Sequence, residues 1–216
     1  MGIEHTRERA LLLLEEWTKS DSLRKHGLAV SVCTESYGVK EAARLELSGD
    51  EAAQFVDLYA SAGLLHDMDY ERHPTQEEHP FVAVALLREE GWPEPLLQAI
   101  LAHADYSGVV PTTHLDKALF ACDELAGFLT ACALVKPTKS ILDVEVKGVL
   151  KKMKDKAFAR AVSREDMARG ASLLALSVEE HVGNCLTAMQ GRAGELGLDA
   201  NGRAEGNVIA PDQVDQ

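Results

Sequence analysis

The sequence predicts an all-α fold, and two observations support that prediction. Alanine and leucine are abundant, whereas aromatic residues make up only 5% of the 216 residues, and this balance favours helix. Apolar residues also recur at helical spacing along the chain, while no segment shows a clear β-strand pattern or an internal repeat. A chain of this length most simply forms one domain that can bury a sizeable core.

Three predicted helices lead to the stretch on which the chain centres, Ala62 to Tyr70. The first covers residues 6–17, and the second begins near Ser20 and places His26 on an apolar face. The third follows a capping-box pattern at residues 48–51 and ends in the dyad His66-Asp67. Gly63, one turn before His66, would let a neighbouring backbone approach closely.

The middle of the chain adds three predicted helices with further polar residues. The first starts at residue 75, with His79 in its first turn, and extends to about residue 91. The second covers residues 94–104 and ends with His103. The third, capped at residues 113–116, continues to about residue 134 and carries Asp123 among apolar neighbours, where an unpaired carboxylate is costly.

The last part of the chain is predicted to be a helical extension followed by a tail. Helices are expected at residues 142–158 and after Ser163 and Ser177, the last ending near residue 189. From Gln190 onward polar and small residues dominate without periodicity. We therefore expect a domain at residues 1–190 and a flexible tail at residues 191–216.

Charge and composition narrow the range of partners. The net charge of −13 argues against binding long nucleic acid through the bulk surface. Residues 136–169, however, hold ten basic and five acidic residues, and such a local patch fits a small anionic ligand. No apolar stretch approaches the roughly 20 residues that span a bilayer. The four scattered cysteines and the absence of a secretion signal favour the cytoplasm.

Six residues form a candidate ligand set for metal ions. They share imidazole or carboxylate chemistry and a place on an inward face or at an end of a predicted helix. The set is His26, His66, Asp67, His79, His103 and Asp123. Mixed histidine and carboxylate ligands suit Fe, Mn, Co or Zn better than Mg or Ca. Six ligands exceed the need of one four-coordinate ion, which favours two ions bridged by a carboxylate.

The order His, His-Asp, Asp resembles the HD superfamily of metal-dependent phosphohydrolases, a helical bundle with a metal site in its core. The two additional histidines resemble its binuclear branches, which include HD-GYP cyclic-dinucleotide phosphodiesterases and bacterial diadenosine-tetraphosphate hydrolases. Segments 119–128 and 149–159 look like an uncharacterised bacterial group of HD hydrolases. The resemblance covers about residues 6–190. The chain has no Gly-Tyr-Pro signature, which argues against cleavage of cyclic dinucleotides.

By that resemblance, His26, His66, Asp67 and Asp123 would hold one ion, and Asp67 would bridge to a second ion held by His79 and His103. A water activated between the ions would then attack phosphorus in a nucleotide or another small phosphate compound. Asp67 is accordingly a candidate catalytic residue.

Further site residues are weaker candidates. Asp69 could orient the attacking water or assist the leaving group, with a helix-ending cap as the alternative. Arg72, Lys147, Lys151 and Lys152 could bind phosphate, or each could be a solvated surface side chain.

Two other function classes stay open on the sequence alone. A di-iron oxygenase could use the same ligands on the same fold, and a non-catalytic module could bind a nucleotide with structural ions. The oligomeric state is open as well, with a homodimer among the alternatives.

Overall fold

A computed structural model describes residues 5–200, which form nine α-helices and contain no strand. The all-α prediction is therefore confirmed for this part of the chain. In chain order the helices are α1 (Arg7–Trp17), α2 (Asp21–Arg44), α3 (Gly49–Leu65), α4 (Phe81–Glu89), α5 (Glu94–His103), α6 (His114–Leu134), α7 (Val146–Met153), α8 (Arg164–Leu173) and α9 (Val178–Gly191). None of them is long and apolar enough to cross a membrane.

The two longest helices, α2 and α6, form the centre of the bundle. Helix α2 packs along α3 on one side and along α6 on another, and α6 also contacts α5 and α8. Side chains with no exposed surface, such as Val30, Leu64, Leu119 and Phe128, fill the space between them. The apolar stripes read from the sequence therefore meet in one core.

Most predicted helix starts are present with their caps. The side chains of Thr6, Ser20 and Ser163 each accept a hydrogen bond from a backbone N–H of the first turn, and Thr113 and Ser177 begin complete capping boxes. The predicted capping box at residues 48–51 is wrong in detail. Ser48 is the N-cap of α3, but its side chain makes no capping hydrogen bond.

Two predicted helix boundaries need correction. Residues 75–80 form turns, so His79 precedes α4 instead of lying in its first turn. Pro80, the N-cap, has no N–H to continue a helical ladder through that point. The helix predicted at residues 142–158 is a short 3₁₀ turn (Ile141–Asp143) followed by α7. Gln190 explains the break, because its amide donates to the carbonyl oxygens of Ile141 and Val144, both at 3.1 Å.

The packed part of the bundle extends past the predicted boundary at residue 190. Ala193, Leu196 and Leu198 are buried, and the carbonyl of Leu198 accepts a 2.8 Å hydrogen bond from the N–H of Ile141. Residues 191–200 therefore pack against the bundle, because three apolar side chains there reach the core. The tail prediction for residues 201–216 lies outside the described residues.

The four cysteines are free and buried, as expected for core residues. The sulfur atoms of Cys122 and Cys185 lie 4.0 Å apart.

Candidate metal centre

The dyad His66-Asp67 lies where α3 ends, and His66 is fully buried. Gly63 permits this placement: a Cβ atom there would lie 2.5 Å from the Cα of Ser31, so only glycine lets α3 lie this close to α2. The Nδ1 atom of His66 donates to the carbonyl oxygen of Gly63 at 2.9 Å. Its Nε2 atom, also buried, has no hydrogen-bond partner within residues 5–200. A buried imidazole nitrogen that lacks a partner is suited to bind a metal ion, which takes the place of its proton.

The two oxygens of Asp67 face two different groups of histidines. Oδ2 lies 3.4 Å from Nε2 of His66 and 3.8 Å from Nε2 of His26. Oδ1 lies 3.2 Å from Nε2 of His79 and 3.4 Å from Nε2 of His103. The ligand atoms accordingly form two compact triads that share Asp67 and are each close enough to hold an ion.

Asp123 joins the first triad from the middle of α6. Its Oδ1 atom lies 3.0 Å from Nε2 of His26 and 3.4 Å from Nε2 of His66. All six sequence-predicted metal ligands therefore converge, four around one position and three around another, with Asp67 common to both.

Hydrogen bonds on the far side of the rings set the orientation of three histidines. Nδ1 of His66 and Nδ1 of His103 donate to backbone carbonyls three residues earlier, Gly63 and Ile100. Nδ1 of His79 donates to Oδ1 of Asp69 at 2.7 Å. Because each Nδ1 is engaged as a donor, each Nε2 faces the centre and can bind a metal ion once it has lost its proton.

The histidines and carboxylates of the candidate ligand set favour each other's charged forms. Burial favours the neutral imidazoles, but the carboxylates of Asp67 and Asp123 raise the pKa of His66 well above its usual range. Hydrogen bonds to Asp67 and Asp69 likewise outweigh burial and raise the pKa of His79 to about 9. Burial would raise the pKa of Asp67, yet its histidine neighbours hold it well below the usual range. Four imidazoles with two ionised carboxylates fit divalent transition metals.

A cavity of about 320 Å³ opens over this centre. Four ligands reach it, and the remaining lining residues are aromatic, acidic or small. The lining residues are Asp67, Tyr70, His79, His103, Ala104, Asp105, Tyr106, Phe120, Asp123, Glu124 and Asp166. His26 and His66 are not among them. The cavity therefore gives a ligand access to the Asp67, His79, His103 and Asp123 side of the centre.

The structure gives Asp69 a different position from the one expected of a catalytic residue. It is fully buried and is not among the cavity-lining residues. Oδ1 accepts from His79, and Oδ2 accepts from the backbone N–H of Ala83 at 2.8 Å, near the start of α4. Asp69 is therefore a positioning residue that holds a candidate ligand.

The four predicted phosphate-binding cations also lie away from the cavity. Arg72 donates to the carbonyl of Glu16 at 2.7 Å and covers the ring of Trp17. Lys147, Lys151 and Lys152 belong to α7, and the ammonium of Lys152 lies 4.1 Å from the Phe158 ring centroid. The basic segment identified in the sequence therefore does not line this centre. The sequence shows the positive charge of this segment but not the direction in which α7 faces.

Sequence reasoning missed several lining residues that are sequence neighbours of ligands. Tyr70 follows the dyad, Asp105 and Tyr106 follow His103, and Glu124 follows Asp123. Burial and the adjacent carboxylate of Asp123 raise the pKa of Glu124 to about 7. Asp166 comes from the start of α8, and no local pattern in the sequence links it to the site.

Comparison with known proteins identifies the family. Residues 25–127, the segment that contains all six candidate ligands, match the family model of the HD domain. Residues 25–127 therefore carry an HD domain, a family that consists mostly of metal-dependent phosphohydrolases. Comparisons with curated proteins and with solved structures give no match.

Proposed function

We propose that this protein is a binuclear metal-dependent phosphohydrolase that cleaves a phosphoester or phosphoanhydride bond in a small phosphate compound, with nucleotides among the candidates. The observation that carries the proposal is the placement of Asp67. Its Oδ2 atom faces His26 and His66, and its Oδ1 atom faces His79 and His103. One carboxylate between two histidine groups has the form of a bridging ligand.

The donor set supports a divalent transition metal. Imidazole with carboxylate favours Fe, Mn, Co or Zn over Mg or Ca. The buried Nε2 atom of His66 has no hydrogen-bond partner among the described residues, so it is available to bind such an ion. When bound, two such ions would supply a nucleophilic water and offset the charge that develops on phosphate.

The chain's own residues would orient the reaction. Asp67 would fix the spacing of the two positions, while Asp69 holds the ring of His79 from behind. His79, His103 and Asp123 line the cavity, so a phosphate that enters it meets the ligand side of the centre directly. The packed helices behind His66 exclude bulk water from its buried side.

Metal analysis and a phosphate-release screen test this proposal together. We expect close to two transition-metal ions per chain after reconstitution and phosphate release from at least one ester or anhydride. Asp67→Asn should abolish release and lower the metal content. Exposed Asp50→Asn, remote on the first turn of α3, is the matched control and should retain both.

Two results would contradict the proposal. One is a protein that holds less than one ion per chain after reconstitution with excess metal and releases phosphate from no compound in the screen. The other is oxygen consumption that depends on iron and on an organic substrate, which would instead indicate a di-iron oxygenase on the same ligands.

A further inference from the structure

The wall of the cavity beyond the ligands carries a clear charge pattern. It contributes three carboxyl groups, those of Asp105, Glu124 and Asp166. No lysine or arginine within residues 5–200 is among the lining residues. Apart from the candidate ligands, the charged lining residues of the cavity are therefore all acidic.

Arg169 is the cation adjacent to this wall, and it is already engaged. Its Nη1 atom donates to Oδ2 of Asp105 at 2.6 Å and lies 4.0 Å from Oδ1 of Asp166. Its guanidinium also covers the ring of Phe120, 4.6 Å from the ring centroid. These contacts engage Arg169 with Asp105, Asp166 and Phe120, and Arg169 itself is not among the lining residues.

Aromatic rings complete the wall. Tyr70 and Tyr106 both lie near His79, with ring centroids 5.2 Å and 6.4 Å from the imidazole. Phe120 lines the cavity from α6. Aromatic faces pack against apolar or cationic groups, and carboxylates accept hydrogen bonds from hydroxyl and ammonium groups.

We propose that the substrate carries a single phosphate and that the rest of the molecule is uncharged or cationic and bears hydroxyl or amino groups. This inference rests on the proposed function, because the one phosphate is taken to sit at the metal centre. A second phosphate or a carboxylate would lie against the carboxylates of Asp105 or Asp166, and no lysine or arginine lines the cavity within residues 5–200 to pair with it. Like charges placed together in this way oppose binding.

Matched substrates test the inference. Glycerol 3-phosphate and 3-phosphoglycerate differ by a hydroxymethyl group in place of a carboxylate, and phosphoethanolamine supplies an ammonium group. We expect kcat/KM for glycerol 3-phosphate or phosphoethanolamine to exceed that for 3-phosphoglycerate by about tenfold or more. The kcat/KM for a nucleoside monophosphate should likewise exceed that for the corresponding triphosphate. Both differences should shrink as salt screens the wall.

Binding provides a readout that does not depend on turnover. Non-hydrolysable phosphonate analogues of glycerol 3-phosphate and 3-phosphoglycerate should inhibit competitively, the first at a concentration about tenfold lower. The double variant Asp105→Asn, Asp166→Asn removes two wall charges and frees Arg169. It should reduce both preferences at least about threefold, whereas Asp50→Asn should leave them unchanged.

The outcomes separate the two proposals. This inference is overturned, and the proposed function stands, if kcat/KM for 3-phosphoglycerate equals or exceeds that for glycerol 3-phosphate. The same holds if kcat/KM for a nucleoside triphosphate equals or exceeds that for its monophosphate. No phosphate release from any compound overturns the proposed function and this inference with it. If the double variant does not fold, the wild-type ratios and inhibitor series still decide.

Discussion

The carboxylate of Asp69 accepts a 2.7 Å hydrogen bond from Nδ1 of His79 while its other oxygen accepts one from the backbone N–H of Ala83. One buried side chain thus fixes both the ring of a candidate ligand and the start of α4. Partners behind a metal ligand orient the ring and raise its basicity, and their loss typically costs about 10- to 100-fold in metal affinity.

Asp69→Asn should therefore weaken the position made by Asp67, His79 and His103 about 10- to 100-fold. The position made by His26, His66 and Asp123 should change much less, because Asp69 does not contact those residues. Calorimetric titration of the metal-free protein with Mn²⁺ or Zn²⁺ would resolve two affinities. Equal weakening of both positions would show instead that Asp69 supports the fold as a whole.

Ligand substitutions should separate the two positions. His26→Ala should remove the ion held with His66 and Asp123, and His103→Ala should remove the other, so each variant keeps about one ion. Asp67→Ala should lower occupancy at both, because its two oxygens face both groups. Elemental analysis of the purified variants measures this. Retention of both ions by Asp67→Ala would rule out the bridging role.

Metal binding should stabilise the fold. Since the assembled triads exist only in the folded chain, an ion at about 100 times its dissociation constant adds about 2.7 kcal/mol. Thermal unfolding should therefore shift upward with Mn²⁺ or Zn²⁺ and much less with Ca²⁺. The Asp67→Asn variant is the control, and an equal shift in that variant would place the stabilising ions elsewhere.

Gly63→Ala should destabilise the protein strongly. The added Cβ would lie 2.5 Å and 2.6 Å from the Cα and N atoms of Ser31, and backbone atoms cannot yield easily. We expect a loss of about 1–3 kcal/mol or more from this overpacking. Gly148→Ala in α7 is the matched control, because its Cβ would meet nothing within 4 Å and should add about 0.5–1 kcal/mol. Chemical denaturation measures both, and similar effects would contradict the close approach of α3 to α2.

His114 should contribute a loss of stability in mild acid. Burial lowers its pKa below the ordinary 6.5, and its Nδ1 atom lies 2.9 Å from the hydroxyl of Tyr59. The unfolded chain then binds this proton more readily, so the free energy of unfolding decreases as pH falls from about 6.5 through the folded-state pKa. The contribution of neutral His114 to the free energy of unfolding is fully present well above pH 6.5.

His114→Gln should flatten that dependence. Denaturation at pH 7.5 and pH 5, with a chelator present to remove linkage to metal binding, measures the difference between variant and wild type. The variant is expected to lose some stability at both values through the Tyr59 contact, but to lose less on acidification. An unchanged slope would assign the acid sensitivity to other groups.

The sequence by itself determined the helical class and the identity of the candidate ligands. Helical periodicity and caps such as Ser20 and Thr113 are local properties, so they can be predicted without knowledge of the tertiary structure. His66, Asp67 and Asp123 could be singled out because buried imidazole and carboxylate groups need partners.

Only the tertiary structure decided which groups meet. It assigned separate histidines to each oxygen of Asp67, placed Asp69 behind His79 and brought Asp166 from α8 to the cavity. It also kept Lys147 and its neighbours on α7 out of the lining. The physical reason is that helix spacing fixes which residues share a face, whereas the direction of that face depends on packing against helices distant in the sequence.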